Sequence, residues 1–174
     1  MNESSDVKFD FEAVSDGDKI SVGTIILKAI FTPGHTSESM SLLYIDRKRV
    51  DSPWGVFSGD TLFVGDIGRL DFSGAGTAKQ MYDSLFYKLL SLPDYVELYP
   101  AHYVGSVCGK KMSLKTMSTV GFERKFNSAL QAKSFKEFEE YLSNNRLDPF
   151  PRHVQIKETN SNPQIIEQIA PSVH

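Results

Sequence analysis

The sequence predicts an α/β fold. Its first part carries β-branched and alternating apolar runs, helical spacing of apolar residues begins near Thr77, and short segments rich in Gly, Pro and Asp punctuate both. Val7, Phe9 and Phe11 alternate with charged residues, the period of a half-buried strand. Thr24 to Phe31 is apolar and β-branched enough to read as a strand buried on both faces. Ser39 to Ile45 is a third strand, followed by a polar turn from Asp46 to Pro53. Gly55 to Ser58 is a short strand running into Gly59-Asp60. Met81, Leu85, Leu89 and Leu92 recur at helical spacing after Thr77, and Pro93 stops that helix. Val96 to Tyr99 is a strand ended by Pro100. Ser134 with Glu137 three positions on has the capping-box form, and Phe135, Phe138 and Leu142 fit a short amphipathic helix. Residues 1–147 are read as the domain. Residues 148–174, rich in Pro, Asn, Gln and Ser, are read as a tail or linker.

Composition narrows the function classes. A chain of 174 residues is one domain's length, and 40% hydrophobic with 24% charged residues is a globular balance. Nineteen Lys and Arg against 22 Asp and Glu leave a net charge of −3, with no basic block, so nucleic acid is not an expected partner. The single cysteine, Cys108, excludes an internal disulfide and a four-cysteine zinc site. No apolar run approaches the roughly 20 residues that cross a bilayer, so no membrane partner is expected. Met1 to Asp6 is acidic and polar, unlike a signal peptide, and a cytoplasmic location is expected.

The chemistry concentrates in three turns. Only four histidines occur, at 35, 102, 153 and 174. His35 and His102 occupy the same kind of place, a turn containing Pro directly after a strand: Thr32-Pro33-Gly34-His35-Thr36 and Tyr99-Pro100-Ala101-His102-Tyr103. Between them, Ser58-Gly59-Asp60-Thr61 ends another strand. Imidazole nitrogen and carboxylate oxygen suit zinc or iron, and strand ends of α/β sheets are where ligand sites collect. Each motif alone has a plainer meaning, since a His after Pro-Gly is commonly a turn residue and an Asp in Gly-Asp-Thr commonly caps its own turn. Together they make His35, Asp60 and His102 candidate ligands of a shared metal.

These segments, with Gly59-Asp60-Thr61-Leu62-Phe63 in order between the two histidines, resemble the later motifs of the metallo-β-lactamase superfamily. Within it the chain resembles the branch of persulfide dioxygenases and hydroxyacylglutathione hydrolases (glyoxalase II), over roughly Ile20 to Leu130. Gly68-Arg69-Leu70-Asp71 looks like the Gly-Arg-x-Asp segment of the dioxygenases. Ala101 to Lys110, with Ser118 to Arg124 after it, resembles bacterial members that carry rhodanese domains downstream. Tyr103-Val104 departs from the small residues expected after that His, and the acidic residue and Tyr of glyoxalase II are absent there. The superfamily's first metal motif, His-x-His-x-Asp-His, is also absent, because no His precedes His35. The resemblance therefore implies the second half of an αββα sandwich, with residues 1–147 a partial domain and the chain expected to be a fragment.

What the resemblance implies for the site follows residue by residue. In a dioxygenase, His35 and Asp60 would be two of three protein ligands of one Fe(II), and His102 an outer residue that orients them. In a hydrolase with a pair of Zn(II) ions, Asp60 would bridge and His102 would bind the second ion. Arg69 would take a substrate carboxylate, or else pair with Asp71; Tyr103 would hydrogen-bond substrate, or else pack as a loop aromatic. Cys108 is a candidate redox thiol, or else a small buried hydrophobe. The expected substrate is glutathione persulfide or a similar low-molecular-weight persulfide, with a thioester hydrolase or a non-catalytic fragment as the alternatives. A companion chain supplying the missing half, or association of the chain with itself, is expected to cover an exposed sheet face.

Overall fold

The computed structural model describes residues 1–3, 5–70, 76–147 and 152–162. Its centre is one six-stranded sheet whose spatial order follows the chain: β1 (Lys19–Val22), β2 (Ile25–Phe31), β3 (Met40–Asp46), β4 (Gly55–Gly59), β5 (Glu97–Pro100) and β6 (Ser118–Thr119). Neighbours are antiparallel except β4 and β5, which are parallel. The parity matters: β2, β4 and β5 all run the same way, so their C-terminal ends emerge at one edge of the sheet. A sheet so rich in antiparallel pairs still delivers three turns to a common place.

Among the described residues, four α-helices accompany it. α1 (Ala78–Asp83) begins at Thr77, whose hydroxyl accepts from the Gln80 amide while the Gln80 side chain accepts from the Thr77 amide. The same rod continues as a π turn, Ser84–Lys88, and tightens to a 3-10 turn, Leu89–Ser91, before Pro93. α2 (Val120–Phe126) is capped by Thr119, and α3 (Phe135–Asn144) by Ser134. In α3 the capping box is half made: Ser134 accepts from Glu137, but the Glu137 carboxylate takes the Lys133 amide, one residue earlier than expected. Alternation along the strands puts Leu43, Val56 and Leu98 on one face, against Met81, Leu85, Leu89, Val120 and Phe138, and all of these are buried. Each such side chain contributes roughly 1.5–3 kcal/mol relative to exposure.

Two expected strands change. The segment around Val7, Phe9 and Phe11 forms no strand, and Phe9 is exposed. Nearby, an isolated bridge joins Asn2 and Val14. The end strand on this side of the sheet is β1, which turns into β2 through the two-residue loop Gly23-Thr24, with Gly23 at φ 61 as a hairpin turn needs. β2 itself is not buried on both faces: only Ala29 is buried, on the face of Leu42 and Phe57, while Lys28 and Ile30 on the helix-bearing face are half-buried. The opposite face carries Tyr44, Phe57 and Tyr99 with ring centroids 5.7–6.3 Å apart, and Phe57 is 44% exposed. Glu97 accepts from the Tyr99 hydroxyl at 2.6 Å within that patch.

The segment read as a tail contains α4 (His153–Ser161), and the Ser161 carbonyl accepts from the Lys8 amide at 2.9 Å. Asp71 and His174 lie outside the described residues. Among the described residues no helix is long and apolar enough to cross a membrane.

Candidate metal centre

Three strand ends build the centre. After β2 the chain passes Thr32 and Pro33 into Gly34, where a Cβ would press on the Met81 backbone at 2.8 Å, so only glycine lets the turn lie against α1. The Pro33 carbonyl accepts from the Ser84 hydroxyl at 2.7 Å, which ties this turn to the start of the π segment. After β4, Gly59 takes φ 56 and delivers Asp60. After β5, Pro100 and Ala101 lead to His102. Beneath all three lies a buried hydroxyl cluster: Thr32 with Ser41 at 2.9 Å, Thr61 with Thr32 at 3.1 Å, and Ser58 donating to the Leu62 carbonyl at 2.6 Å. Sequence reasoning passed over these residues, which alone look like ordinary strand and turn Ser and Thr.

The candidate ligands converge on Asp60. Its Oδ2 lies 3.3 Å from His35 Nε2 and its Oδ1 2.5 Å from His102 Nδ1. The side chains of His35 and Asp60 are 12% and 19% exposed, and that of His102 is 42% exposed. His35 Nδ1 lies 3.0 Å from the Arg69 carbonyl, which can only accept, so Nδ1 carries the proton and Nε2 is left with its lone pair in the neutral ring. That lone pair faces a carboxylate oxygen, an arrangement that calls for a proton or a metal ion between the two. Burial pushes the His35 imidazole below its ordinary value, against the raising pull of Asp60 and the Arg69 carbonyl, and with a lowering contribution from His102 and the Arg69 charge. The proton is thus disfavoured and the donor set, imidazole and carboxylate, fits a zinc or iron ion.

Among the described residues, donor atoms of His35, Asp60 and Cys108 all lie within 4.8 Å of one another. His102 instead braces the carboxylate from its far oxygen. Cys108 is half-buried, and burial raises its thiol pKa, with the Ser106 hydroxyl opposing and Asp60 adding to the rise. It lacks the lowered pKa of an activated redox cysteine. Its loop is fixed by groups the sequence did not flag. The buried Asp66 carboxylate accepts from the amides of Lys110 and Lys111, both at 2.6 Å, and of Ile67 at 2.9 Å. Glu123, fully buried, accepts from the Gly65 amide at 2.9 Å and the Ser118 hydroxyl at 2.6 Å.

Arg69 stands at the rim. Its guanidinium donates to the Val107 carbonyl at 3.0 Å and it borders a cavity of about 280 Å³ that Lys110 and Arg146 also line, together with Glu139 and Tyr141. Tyr103 is 55% exposed and does not line that cavity.

Comparison with known proteins places this geometry in a family. Residues 3–102 match the family model described as the metallo-beta-lactamase superfamily. The human mitochondrial persulfide dioxygenase ETHE1 is 34% identical over 142 residues, which cover 81% of this chain and 49% of that protein. The cytoplasmic hydroxyacylglutathione hydrolase of Arabidopsis thaliana is 41% identical over 92 residues, 52% of this chain and 34% of that one. Among solved structures, a metallo-beta-lactamase from Staphylococcus aureus superposes with a TM-score of 0.77 at 38% identity, covering 87% of this chain and 44% of that chain. The chain spans about half the length of the first curated relatives it matches. Proteins of this group bind metal ions. The six-stranded sheet with its helices, the centre at the sheet edge and the matched residues agree, and the chain belongs to the metallo-β-lactamase superfamily.

Proposed function

We propose that this chain carries part of the centre of a persulfide dioxygenase. Such an enzyme oxidises the outer sulfur of glutathione persulfide, or of a similar low-molecular-weight persulfide, to sulfite; dioxygen is reduced, water supplies the third oxygen, and the thiol is returned. The observation that supports this reading best is the position of Gly68-Arg69, whose main chain holds the His35 ring while the guanidinium borders the neighbouring cavity. Fe(II) bound between His35 and Asp60 would supply exchangeable positions for sulfur and dioxygen. The residues of the chain do the positioning. His35 offers Nε2 with its other nitrogen tied to the Arg69 carbonyl; Asp60 offers Oδ2 while His102 holds Oδ1 and so fixes the direction of the carboxylate. Arg69, Lys110 and Arg146 give the cavity a cationic side suited to the carboxylates of a peptide thiol.

No His-x-His-x-Asp-His occurs in these 174 residues. The third iron ligand in this reading comes from a companion segment seated on the open sheet face around Tyr44, Phe57 and Tyr99. The isolated chain is accordingly expected to turn over nothing and to associate with itself through that face. The test is an oxygen-electrode recording of the iron-loaded assembly with glutathione persulfide. Oxygen uptake matched by sulfite is expected; an iron-loaded assembly that consumes no oxygen refutes the proposal.

A second reading, a thioester hydrolase with two Zn(II) ions, is favoured by one feature: the two oxygens of Asp60 face different imidazoles, as a bridging carboxylate would. It expects hydrolysis of an acyl-glutathione without oxygen and two metal ions per centre.

A further inference from the structure

We propose that Cys108 is a metal ligand, and that His35 Nε2, an Asp60 carboxylate oxygen and Cys108 Sγ form a three-donor site for a divalent ion that is complete within this chain. The inference goes beyond the proposed reaction: it concerns the ion held by this chain on its own, without the companion segment that supplies an iron ligand in the assembly.

The geometry carries it. The three donor atoms already lie within 4.8 Å of one another. An ion bound at roughly 2.0–2.3 Å from each draws them closer by about an ångström. Their backbones are joined at one residue: the Arg69 carbonyl meets His35 Nδ1 at 3.0 Å, and the Arg69 amide donates to the Cys108 carbonyl, also at 3.0 Å. The Arg69 guanidinium adds a bond to the Val107 carbonyl, next to Cys108. Asp66 anchors the other side of the same loop through the amides of Lys110 and Lys111. The thiol is therefore held beside the imidazole and carboxylate by main-chain contacts that do not depend on its own chemistry. On binding, the thiol releases its proton to solvent and the sulfur donates a pair to the ion. A nitrogen, oxygen and sulfur set selects a borderline ion such as Zn(II) or Co(II) over Mg(II) or Ca(II). His102, on the far oxygen of Asp60, orients the set without joining it.

The experiment is titration of the full 174-residue chain with Co(II), followed by absorption. Because Cys108 is the only cysteine, a sulfur-to-cobalt charge-transfer band in the near ultraviolet reports it alone. The band is expected at one cobalt per chain, to vanish in Cys108→Ser with affinity falling at least about tenfold, and to persist in His102→Ala. Alkylation of Cys108 in the unsubstituted chain, slowed by Zn(II), supports the same conclusion without any variant. Cobalt bound with visible bands but no sulfur band, and with unchanged affinity in Cys108→Ser, overturns the thiolate while leaving a His35–Asp60 centre standing. A band that saturates at one cobalt per two chains overturns the single-chain site. No cobalt binding at all overturns both this and the metal reading of the centre.

Discussion

Replacing Gly68 with alanine tests how the centre is held together. A Cβ at this position would fall on the Asp60 carbonyl and lie 3.2 Å from the His35 Cβ. The obstruction is steric and not conformational, since Gly68 does not take a positive φ. To reach ordinary contact, the backbone of Asp60 must back away by well over an ångström, and the obstacle is main chain, which cannot rotate aside as a long side chain would. Overpacking of a close-packed interior costs roughly 1–3 kcal/mol, and a backbone clash belongs at the top of that range, so a loss of about 3 kcal/mol is expected in urea unfolding. Metal ligands tolerate only about 0.2 Å of error, so Zn(II) affinity should fall at least about tenfold in competition with a chromophoric chelator. Gly23→Ala is the comparison. It sits at φ 61 with open space around it, far along the sheet in the β1–β2 turn, and should cost about 1–2 kcal/mol with Zn(II) affinity unchanged. A Gly68→Ala chain with wild-type stability and wild-type Zn(II) affinity would refute the packing of Gly68 between Asp60 and His35, and with it the account of how the ligands are positioned.

The remaining predictions concern protons, anchoring and the open face. The His35 pKa in the folded chain lies below its ordinary 6.5. Between the two values the unfolded chain binds more protons than the folded one, so the metal-free chain should lose stability as pH falls through and below 6.5. His35→Gln should flatten that slope in pH-dependent thermal unfolding; an unchanged slope would show that another group sets it. Asp66→Ala leaves the amides of Ile67, Lys110 and Lys111 without their acceptor and should cost about 3 kcal/mol in urea unfolding, with the Cys108 loop losing protection in hydrogen exchange. Full protection of that loop in the variant would remove Asp66 as its anchor. Phe57→Lys, at a side chain 44% exposed on the uncovered sheet face, should leave the fold intact and reduce self-association in light scattering. Equal association of the variant would show that chains meet elsewhere.

Much of the framework was legible because it is local. A β-branched run, a proline stop and an apolar repeat each act within a few residues, and so β2, β3, β4, β5, the rod beginning at Thr77 and the helix after Ser134 are readable from composition and period alone. The misreadings were those in which a local pattern had no say over its neighbours. Val7 to Phe11 alternates as a strand should, yet it joins no strand, and its Lys8 amide donates to the Ser161 carbonyl instead. Ile25 to Phe31 is apolar enough for double burial, but whether a second layer covers it is decided elsewhere. β6 escaped because Ser118-Thr119 is too short to show a period.

Three residues at three turns were within reach of the sequence: His35, Asp60 and His102, each following a strand and each chemically suited to a metal ion. Their meeting was not. It depends on the alternation of strand directions, which brings the ends of β2, β4 and β5 to one edge, and on the hydroxyls of Thr32, Ser41 and Thr61 packed beneath them. Nor could the chain order reveal that Cys108 brings a third donor atom within 4.8 Å of those of His35 and Asp60. That placement is set by the backbone of Arg69 and the carboxylate of Asp66, through hydrogen bonds spanning 39 and about 44 positions of chain. Local chemistry is written in neighbouring residues, whereas proximity is set by long-range pairing that no short stretch contains.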